Sequence, residues 1–138
     1  MPKQPSIRFE NVSKAFGDLV VLDKVSFNIP KGETTAIIGP SGAGKSVILK
    51  HIVGLLQPDS GSVYVMDCDM GSSKQDDIYA TRRRMGMLFQ NGALFDSMTV
   101  GENIAFPLVQ NHKHLSEDER DAKVDEVLKQ VELPGLQK

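Results

Sequence analysis

The first third of the chain carries short runs in which apolar and polar residues alternate. The alternation occurs at residues 6–12 and again at 25–29, and turn residues at 16–18 and 30–32 separate the runs. Because a strand turns successive side chains to opposite faces, this period of two predicts half-buried strands. Tight turns between them favour an antiparallel sheet, and residues 63–66 predict a further strand.

Two apolar runs follow a different pattern. Residues 34–38 form one continuous run, and Met85–Phe89 form another that ends at Gln90. Runs without alternation are typical of strands buried on both faces in a parallel sheet. Between them, after a glycine-rich turn, apolar residues recur at helical spacing over residues 48–56. The sequence therefore predicts an α/β fold, with an antiparallel sheet beside a partial parallel sheet and helices.

Two helices are predicted in the rest of the chain. Residues 78–84 suit a short helix, and Ser116 with Glu119 three positions later forms a capping box. An amphipathic helix follows this box and stops at Pro134. The acidic residues at 117–121 lie in its first turns, where the helix dipole favours them, so we expect no catalysis from them.

Composition narrows the class of protein. Of 138 residues, 40% are hydrophobic and 25% are charged, which suits a globular chain with a sizeable core. The net charge of −2 shows no basic excess, so no nucleic-acid partner is expected. The single cysteine, Cys68, can form no disulfide within the chain and fits a reducing compartment. The most apolar stretch, residues 47–56, is too short to span a bilayer, so we expect a cytoplasmic protein.

Candidate chemistry centres on residues 39–46, which read GPSGAGKS. A glycine, four residues, then glycine, lysine and serine define a phosphate-binding loop, and a chance match has odds of roughly one in two hundred. The predicted strand before the loop and helix after it supply the context that such a loop needs. The alternative is a glycine-rich turn that merely precedes a core helix.

The residue types of this loop suit ATP with Mg²⁺. Glycines let backbone N–H groups converge on phosphate oxygens at a helix N-terminus. Lys45 would place a positive charge against the β- and γ-phosphates, and Ser46 would offer its hydroxyl to Mg²⁺. The residues expected to contact the nucleotide are Gly39, Pro40, Ser41, Gly42, Ala43, Gly44, Lys45, Ser46 and Val47.

Four segments carry a resemblance to a known family. They read SKAFGD, VSFNIPKGETTAIIGPSGAGKS, GLLQPDSGSVYVMDCDM and MGMLFQNGALFDSMTVGENIAFPL, in this order along the chain. Together they resemble the ATP-binding subunit of ABC transporters. The fourth is especially similar to Mla-type ATPases, which move phospholipid between bacterial membranes. The resemblance implies a P-loop NTPase fold of ABC type.

The resemblance also implies a division of the chain. An antiparallel β-subdomain would cover about residues 5–30 and 60–68, and the phosphate-loop strand and helix would cover 34–56. The glutamine-loop strand and the segment after it would cover 85–107, and a helical subdomain would begin within 108–138.

Two further site residues follow from the resemblance. Phe16 lies where the family stacks an aromatic ring, usually tyrosine, on adenine; the alternative is a loop aromatic packed on the sheet. Gln90 lies where the family's glutamine reaches Mg²⁺ or its water, senses the γ-phosphate and couples the site to the permease. Its alternative is a solvent-facing residue at a strand end. The resemblance thus implies catalytic roles for Lys45 and Gln90 and metal-binding roles for Ser46 and Gln90.

Two protein partners are implied in the same way. The segment from Asn91 to Pro107 would help to form a groove for a helix of the transmembrane permease subunit, and a second copy of the ATP-binding subunit would complete a dimer. The apolar residues of this segment, any of which could instead belong to the core, include Leu94, Phe95, Met98 and Val100. The protein would lie on the cytoplasmic face of the bacterial inner membrane, held there through the permease.

Two other features have mainly structural interpretations. The basic run Arg82–Arg84 suits a solvated helix end better than a contact with phosphate. His51, on the helix after the phosphate loop, suits a partnered structural histidine better than a ligand. Neither feature is expected to contact the nucleotide.

Within the 138 residues there is no LSGGQ-like signature, no apolar strand that ends in Asp-Glu and no later switch histidine. By resemblance these elements form the catalytic half, so the chain would cover about the first half of a domain. Hydrolysis needs a positioned nucleophile, and general-base help is worth about 10²–10⁴-fold. We therefore expect the chain alone to bind nucleotide weakly, to hydrolyse it negligibly and to self-associate through bare strand edges.

The favoured function is the ATP-binding, energy-coupling ATPase subunit of an ABC transporter of the lipid-trafficking type. The alternatives are a nucleotide-dependent soluble interaction module and an ATP-binding stub without a role in transport. A P-loop kinase or GTPase of another family is disfavoured by the antiparallel strands before the loop and by the segment around Gln90.

Overall fold

The computed structural model describes residues 5–90, 92–112 and 114–138. The chain divides into two compact units, Met1–Gly86 and Met87–Lys138. The first unit contains β1 (Pro5–Phe16), β2 (Leu19–Pro30), α1 (Lys45–Ile52), β3 (Ser60–Val65), β4 (Cys68–Asp69) and α2 (Gln75–Arg82). The second contains α3 (Val100–Asn111) and α4 (Glu117–Gln130).

The strands of the first unit form one antiparallel sheet in the order β2-β1-β3-β4. Phe9 on β1 pairs with Phe27 on β2 and with Val63 on β3, so β1 lies inside the sheet. The rings of Phe9 and Phe27 stack with their centroids 4.5 Å apart. The antiparallel sheet predicted from the alternating runs is thereby confirmed.

The core of the first unit joins this sheet to α1 and α2. Burying these apolar side chains provides the main favourable term for folding of the unit. The buried cluster consists of Phe9, Val12, Leu22, Ile48, Ile52, Val63, Val65, Met70 and Ile78.

The two apolar runs predicted as parallel strands do not form strands. Residues 34–38 and 85–89 carry no regular structure, and Ile38 and Leu88 are 92% and 88% exposed. An apolar run can suit a buried strand, but a strand forms only where another segment supplies hydrogen-bond partners. Among the described residues, no segment pairs with either run. Sequence pattern alone cannot reveal whether that partner is present.

Helix α1 is shorter than the apolar spacing through residue 56 predicts. Gly54 follows the helix with φ at +68°. Its N–H donates to the carbonyl of His51 (3.0 Å), and the N–H of Leu55 donates to the carbonyl of Lys50 (2.8 Å). This is the Schellman arrangement, which ends helices at a glycine in the left-handed conformation.

Both helices of the second unit begin with a capping box. The hydroxyls of Thr99 and Ser116 accept hydrogen bonds from the backbone N–H groups of Glu102 and Glu119, whose carboxylates accept the reciprocal bonds. The box at α4 is the one predicted from the sequence, and it is confirmed. Helix α3 was not predicted, although Thr99 and Glu102 carry the same signal.

Candidate functional site

The glycine-rich loop leads straight into α1, which begins at Lys45. Gly42 and Gly44 have φ angles of +81° and +85°, a region that side chains with a Cβ rarely adopt. Gly44 is also buried against β2, where an added Cβ would lie 3.0 Å from Cγ1 of Val21 and 3.3 Å from Cδ2 of Leu22. The backbone conformation therefore favours glycine at this position, and the packing around it is tight.

The N-terminus of α1 lacks a side-chain cap. Gly44 occupies the capping position and makes no side-chain hydrogen bond, and the first turn contains no acidic residue. The first N–H groups of any helix have no acceptor inside that helix. Here they combine with the positive end of the helix dipole, so this turn can receive an anion with several oxygens.

The side chain of Lys45 folds back over the loop. Its Nζ atom donates to the carbonyl oxygens of Gly39 (2.8 Å) and Pro40 (2.6 Å). Phosphate oxygens are stronger acceptors for an ammonium group than neutral carbonyls are. A phosphate bound at the N-terminus of α1 could therefore take over these hydrogen bonds.

The remaining loop residues fit a phosphate group and its metal ion. Ser41 and Ala43 are exposed, and so is Ser46 in the first turn of α1. No hydrogen bond to the Ser46 hydroxyl is found among the described residues. Because Mg²⁺ keeps several waters and binds phosphate oxygens, one protein hydroxyl at this position is a suitable ligand. Val47 is half-buried and packs against the core, which fixes the turn.

Phe16 lies at the end of β1 that is near the loop. It pairs with Leu19 across the turn, and the same strand, β2, carries Val21 and Leu22, which contact Gly44. The ring of Phe16 is 47% exposed, and Lys14 Nζ lies 5.7 Å from its centroid. The structure thus brings Phe16 and the phosphate loop to neighbouring parts of one unit.

Asp59 fixes the turn after α1 to the strand that carries Phe16. Its backbone N–H donates to the carbonyl of Ser13 (2.9 Å). Its carboxylate accepts hydrogen bonds from Lys14 Nζ (2.6 Å) and from the backbone N–H of Ala15 (2.8 Å). These bonds hold the pKa of the Asp59 carboxyl below its ordinary value.

Gln90 belongs to the second unit, where it lies exposed in a turn. Asn91 lies outside the described residues. Apolar side chains near Gln90 and on the first turn of α3 are strongly exposed, and they include Leu88, Phe89, Leu94, Phe95 and Val100. Of the residues predicted for the docking segment, Met98 is half-buried.

Asn103 shapes this segment, and sequence reasoning missed it. Its side-chain oxygen accepts the N–H of Phe95 (2.8 Å), and its side-chain nitrogen donates to the carbonyls of Phe95, Met98 and Thr99 (3.0–3.2 Å). An asparagine can satisfy several backbone groups of a loop in this way. Its role could have been inferred from the sequence, because an asparagine in the first turn of a helix can bond to the irregular apolar segment that precedes the helix.

The interpretation of Arg82–Arg84 needs one correction. Arg83 and Arg84 are exposed, as a solvated helix end requires. Arg82 instead donates from Nε to the carbonyl of Val53 (2.8 Å) and from Nη2 to that of Gly54 (2.7 Å). These two hydrogen bonds join residues that are separated by 29 and 28 positions in the sequence, so no local pattern reveals them.

His51 is fully buried, and its Nδ1 atom lies 2.7 Å from the carbonyl oxygen of Val47. The predicted structural histidine is therefore confirmed for this nitrogen. The Nε2 atom has no partner in the part of the chain that the structure describes. In those same parts, no helix has both the length and the apolar character that crossing a membrane would require.

Comparison with known proteins now defines the class. The family model described as "ABC transporter" matches residues 22–138, and the chain belongs to the ABC transporter ATPase family. It is 38% identical over 136 residues to the "Probable ribonucleotide transport ATP-binding protein mkl" of Mycobacterium leprae, covering 99% of this chain and 38% of that protein. The family resemblance inferred from the sequence is confirmed.

Other relatives carry different transport names. The chain is 41% identical over 115 residues to the intermembrane phospholipid transport system ATP-binding protein MlaF of Haemophilus influenzae, covering 83% of this chain and 43% of MlaF. It is 40% identical over 135 residues to the sulfate/thiosulfate import ATP-binding protein CysA of Bacillus cereus, covering 96% of this chain and 36% of CysA. The chain thus spans well under half the length of these relatives.

Solved structures confirm the fold class. A dimeric bacterial ABC transporter cassette superposes with a TM-score of 0.83 at 33% identity, covering 96% of this chain and 60% of the cassette. A dimeric cassette described as a post-hydrolysis state bound to ADP and Pi gives a TM-score of 0.81 at 33% identity, covering 95% of this chain and 59% of that one. The fold is therefore that of an ABC-type P-loop NTPase.

Proposed function

We propose that the protein is the ATP-binding, energy-coupling subunit of an ABC transporter, and that its full-length dimer drives transport by binding and hydrolysing ATP. The observation that carries this proposal is the uncapped N-terminus of α1, which follows a loop whose Gly44 has a left-handed backbone conformation and tight packing. A helix start that satisfied its own N–H groups would have no need of a ligand there. Family membership gives the ligand class.

The roles of the loop residues follow from its geometry. The backbone N–H groups at the start of α1 bind the phosphates, and Lys45 exchanges its two carbonyl partners for phosphate oxygens. Ser46 would hold Mg²⁺, and the bound ion would supply positive charge against the negative charge of phosphoryl transfer. The family resemblance, and not the loop geometry, supports two further proposed roles: Phe16 would stack on the adenine, and Gln90 would contribute to metal binding and to hydrolysis.

The partners proposed are a second ATP-binding subunit and a transmembrane permease subunit. Two of the similar cassettes are described as dimeric. The segment after Gln90 supports the permease contact because its apolar residues, Leu94 among them, are exposed where a partner helix could cover them. The protein would then be peripheral on the cytoplasmic face of the inner membrane.

Phospholipid is the proposed cargo. The segment MGMLFQNGALFDSMTVGENIAFPL is similar to Mla-type ATPases, and the identity to MlaF is 41%. Relatives named for ribonucleotide and sulfate transport are 38% and 40% identical, so overall identity does not separate the three cargo classes. Reconstitution with the permease separates them, because only the true cargo should stimulate ATP turnover.

Calorimetric titration with ATP and Mg²⁺ tests the central proposal. Lys45→Ala should weaken ATP binding about 100-fold, because a charge-assisted hydrogen bond to phosphate is lost. Lys50→Ala is the matched control, since Lys50 is an exposed lysine on the same helix. Nucleotide binding at this loop would be refuted if the Lys45 variant and the unsubstituted protein bound ATP with equal affinity. It would also be refuted if the unsubstituted protein showed no binding at millimolar ATP.

The permease contact is tested separately by co-purification from membranes. Leu94→Glu should abolish assembly with the permease while leaving ATP affinity unchanged, because Leu94 is 70% exposed in the docking segment. Leu133→Glu, at an exposed leucine of the same unit outside that segment, should assemble normally. Normal assembly of the Leu94 variant would count against docking through this segment.

A further inference from the structure

The C-terminal end of helix α1 is held by a side chain that lies outside the phosphate loop. The Schellman bonds satisfy the carbonyls of Lys50 and His51. The carbonyl groups of Val53 and Gly54 accept the Nε and Nη2 hydrogens of Arg82 at 2.8 and 2.7 Å. A guanidinium group makes this two-point contact from two separate nitrogens held in one rigid plane, whereas an ammonium group would have to make both bonds from a single nitrogen.

The end of α1 is shaped for this guanidinium group. A Cβ atom on Gly54 would lie 3.0 Å from Arg82 Nη2 and 3.0 Å from Cε of Met70. The positive charge of Arg82 also lies at the negative end of the helix dipole, where it is favourable. Arg82 is half-buried, whereas its neighbours Arg83 and Arg84 are exposed.

Arg82 also connects α1 to the segment that continues towards Gln90. It is the last residue of α2, and its carbonyl accepts the N–H of Met85 at 3.0 Å. Met85 packs against the same core cluster as Ile48 and Ile52 of α1. The eight residues of α1 form a rod about 12 Å long, so a tilt at its C-terminal end displaces the N–H groups at its start.

We propose that Arg82 is a positioning residue for nucleotide binding: it fixes the orientation of α1 and thereby aims the N–H groups of the phosphate loop. This inference rests on the proposed binding of nucleotide at that loop. It goes further, because it assigns part of the phosphate affinity to a side chain at the opposite end of the helix.

Two variants and one matched control test the role of Arg82. Arg82→Met removes the charge and the hydrogen bonds, and Arg82→Lys keeps the charge but replaces the rigid pair of donor nitrogens with a single one. Both should weaken ATP binding, by about tenfold for Met and about fivefold for Lys. Arg83→Met, at the exposed neighbour, should bind ATP like the unsubstituted protein.

Hydrogen exchange in the absence of nucleotide separates positioning from general loss of structure. In Arg82→Lys the hydrogen-bonded amides of α1 from Ile48 onward should exchange faster, while those of β1 and β3 keep their protection. The Lys variant serves if Arg82→Met does not fold. Unchanged exchange at these α1 amides, or equally faster exchange across the sheet, would overturn the inference. An unsubstituted protein that binds no ATP would defeat the proposed function instead, and the exchange result would then show only whether Arg82 holds α1 in place.

Discussion

Helices α1 and α4 begin in opposite ways. At α4, Ser116 and Glu119 satisfy backbone N–H groups reciprocally, and three acidic residues occupy the first turn. At α1, the capping residue is Gly44, there is no side-chain cap, and the first turn has no acidic residue. The same backbone chemistry therefore serves two purposes, since α4 stabilises its own start and α1 leaves its start available to a ligand.

The difference also appears in what stabilises each helix start. A capping box stabilises a helix by about 1 kcal/mol, a gain that α1 does without. Instead, Gly44 fits tightly against Val21 and Leu22, so that the loop is shaped by packing and not by hydrogen bonds from a cap. Substitutions at the two helix starts should therefore affect ATP binding and stability in different proportions.

The largest effect is expected from Gly44→Ala. The new Cβ would lie 3.0 Å from Val21 Cγ1, at a φ of +85°. We expect a loss of about 1–3 kcal/mol in the free energy of unfolding and loss of measurable ATP binding. Denaturant unfolding and calorimetry measure the two effects. Gly86→Ala is the control, because a Cβ at Gly86 meets nothing within 4 Å; similar behaviour of the two variants would show that the packing at Gly44 is unimportant.

Ser116→Ala should lower stability without affecting ATP binding, unlike Gly44→Ala, which should affect both. Loss of the cap should lower the stability of α4 by about 1 kcal/mol, as measured by denaturant unfolding, with no change in ATP affinity. Thr99→Ala removes the equivalent hydroxyl at α3 and should behave alike. If either substitution weakened ATP binding several-fold, the division between self-satisfied and ligand-binding helix starts would be wrong.

Phe16→Ala should weaken ATP binding about fivefold, because stacking of an aromatic ring contributes about 0.5–1.5 kcal/mol. Phe16→Tyr should bind ATP at least as well as the unsubstituted protein. Since Phe16 is 47% exposed, neither change should alter stability much. Unchanged ATP affinity for Phe16→Ala would favour the alternative of a loop aromatic without a role in binding.

The smallest expected effect is that the start of α4, but not the start of α1, loses stability at acidic pH. Hydrogen bonds from the backbone N–H and hydroxyl of Ser116 lower the pKa of the Glu119 carboxyl below its ordinary value of 4.5. Its stabilising contribution is therefore complete above pH 4.5 and is lost as the pH falls through the lowered pKa. The protection of the amides at the start of α4, taken relative to their intrinsic exchange rate at each pH, should fall over that interval, and Glu119→Gln should remove this pH dependence. The start of α1 has no carboxylate in its first turn, so titration of a capping carboxylate should not change amide exchange there.

The sequence predicts those features of the fold and the site that depend on residues close together in the chain. The glycine and lysine spacing at 39–46 predicts the loop, and Ser116 with Glu119 predicts the start of α4. The same capping signal at Thr99 and Glu102 was available but was not applied to α3. Gly54, near the end of an apolar period, likewise marks the end of α1 before residue 56.

The sequence does not predict those features that depend on contacts between residues far apart in the chain. Residues 34–38 have the composition of a buried strand, yet strand formation depends on a neighbour that no local pattern reports. The contacts of Arg82 with Val53 and Gly54 are equally remote along the chain. An arginine in a basic run is usually solvated, so only the folded arrangement shows that this one is not.

The two carbonyls that hold Lys45 have a thermodynamic consequence. Because Gly39 and Pro40 already hold the ammonium group, the loop has a defined shape before any anion arrives. In the proposed binding mode, phosphate would replace these carbonyl acceptors within a formed loop, and little of the chain would have to become ordered. Coupled folding would bury much apolar surface and give a large negative heat-capacity change. For this loop, the enthalpy of ATP binding should therefore vary only slightly with temperature.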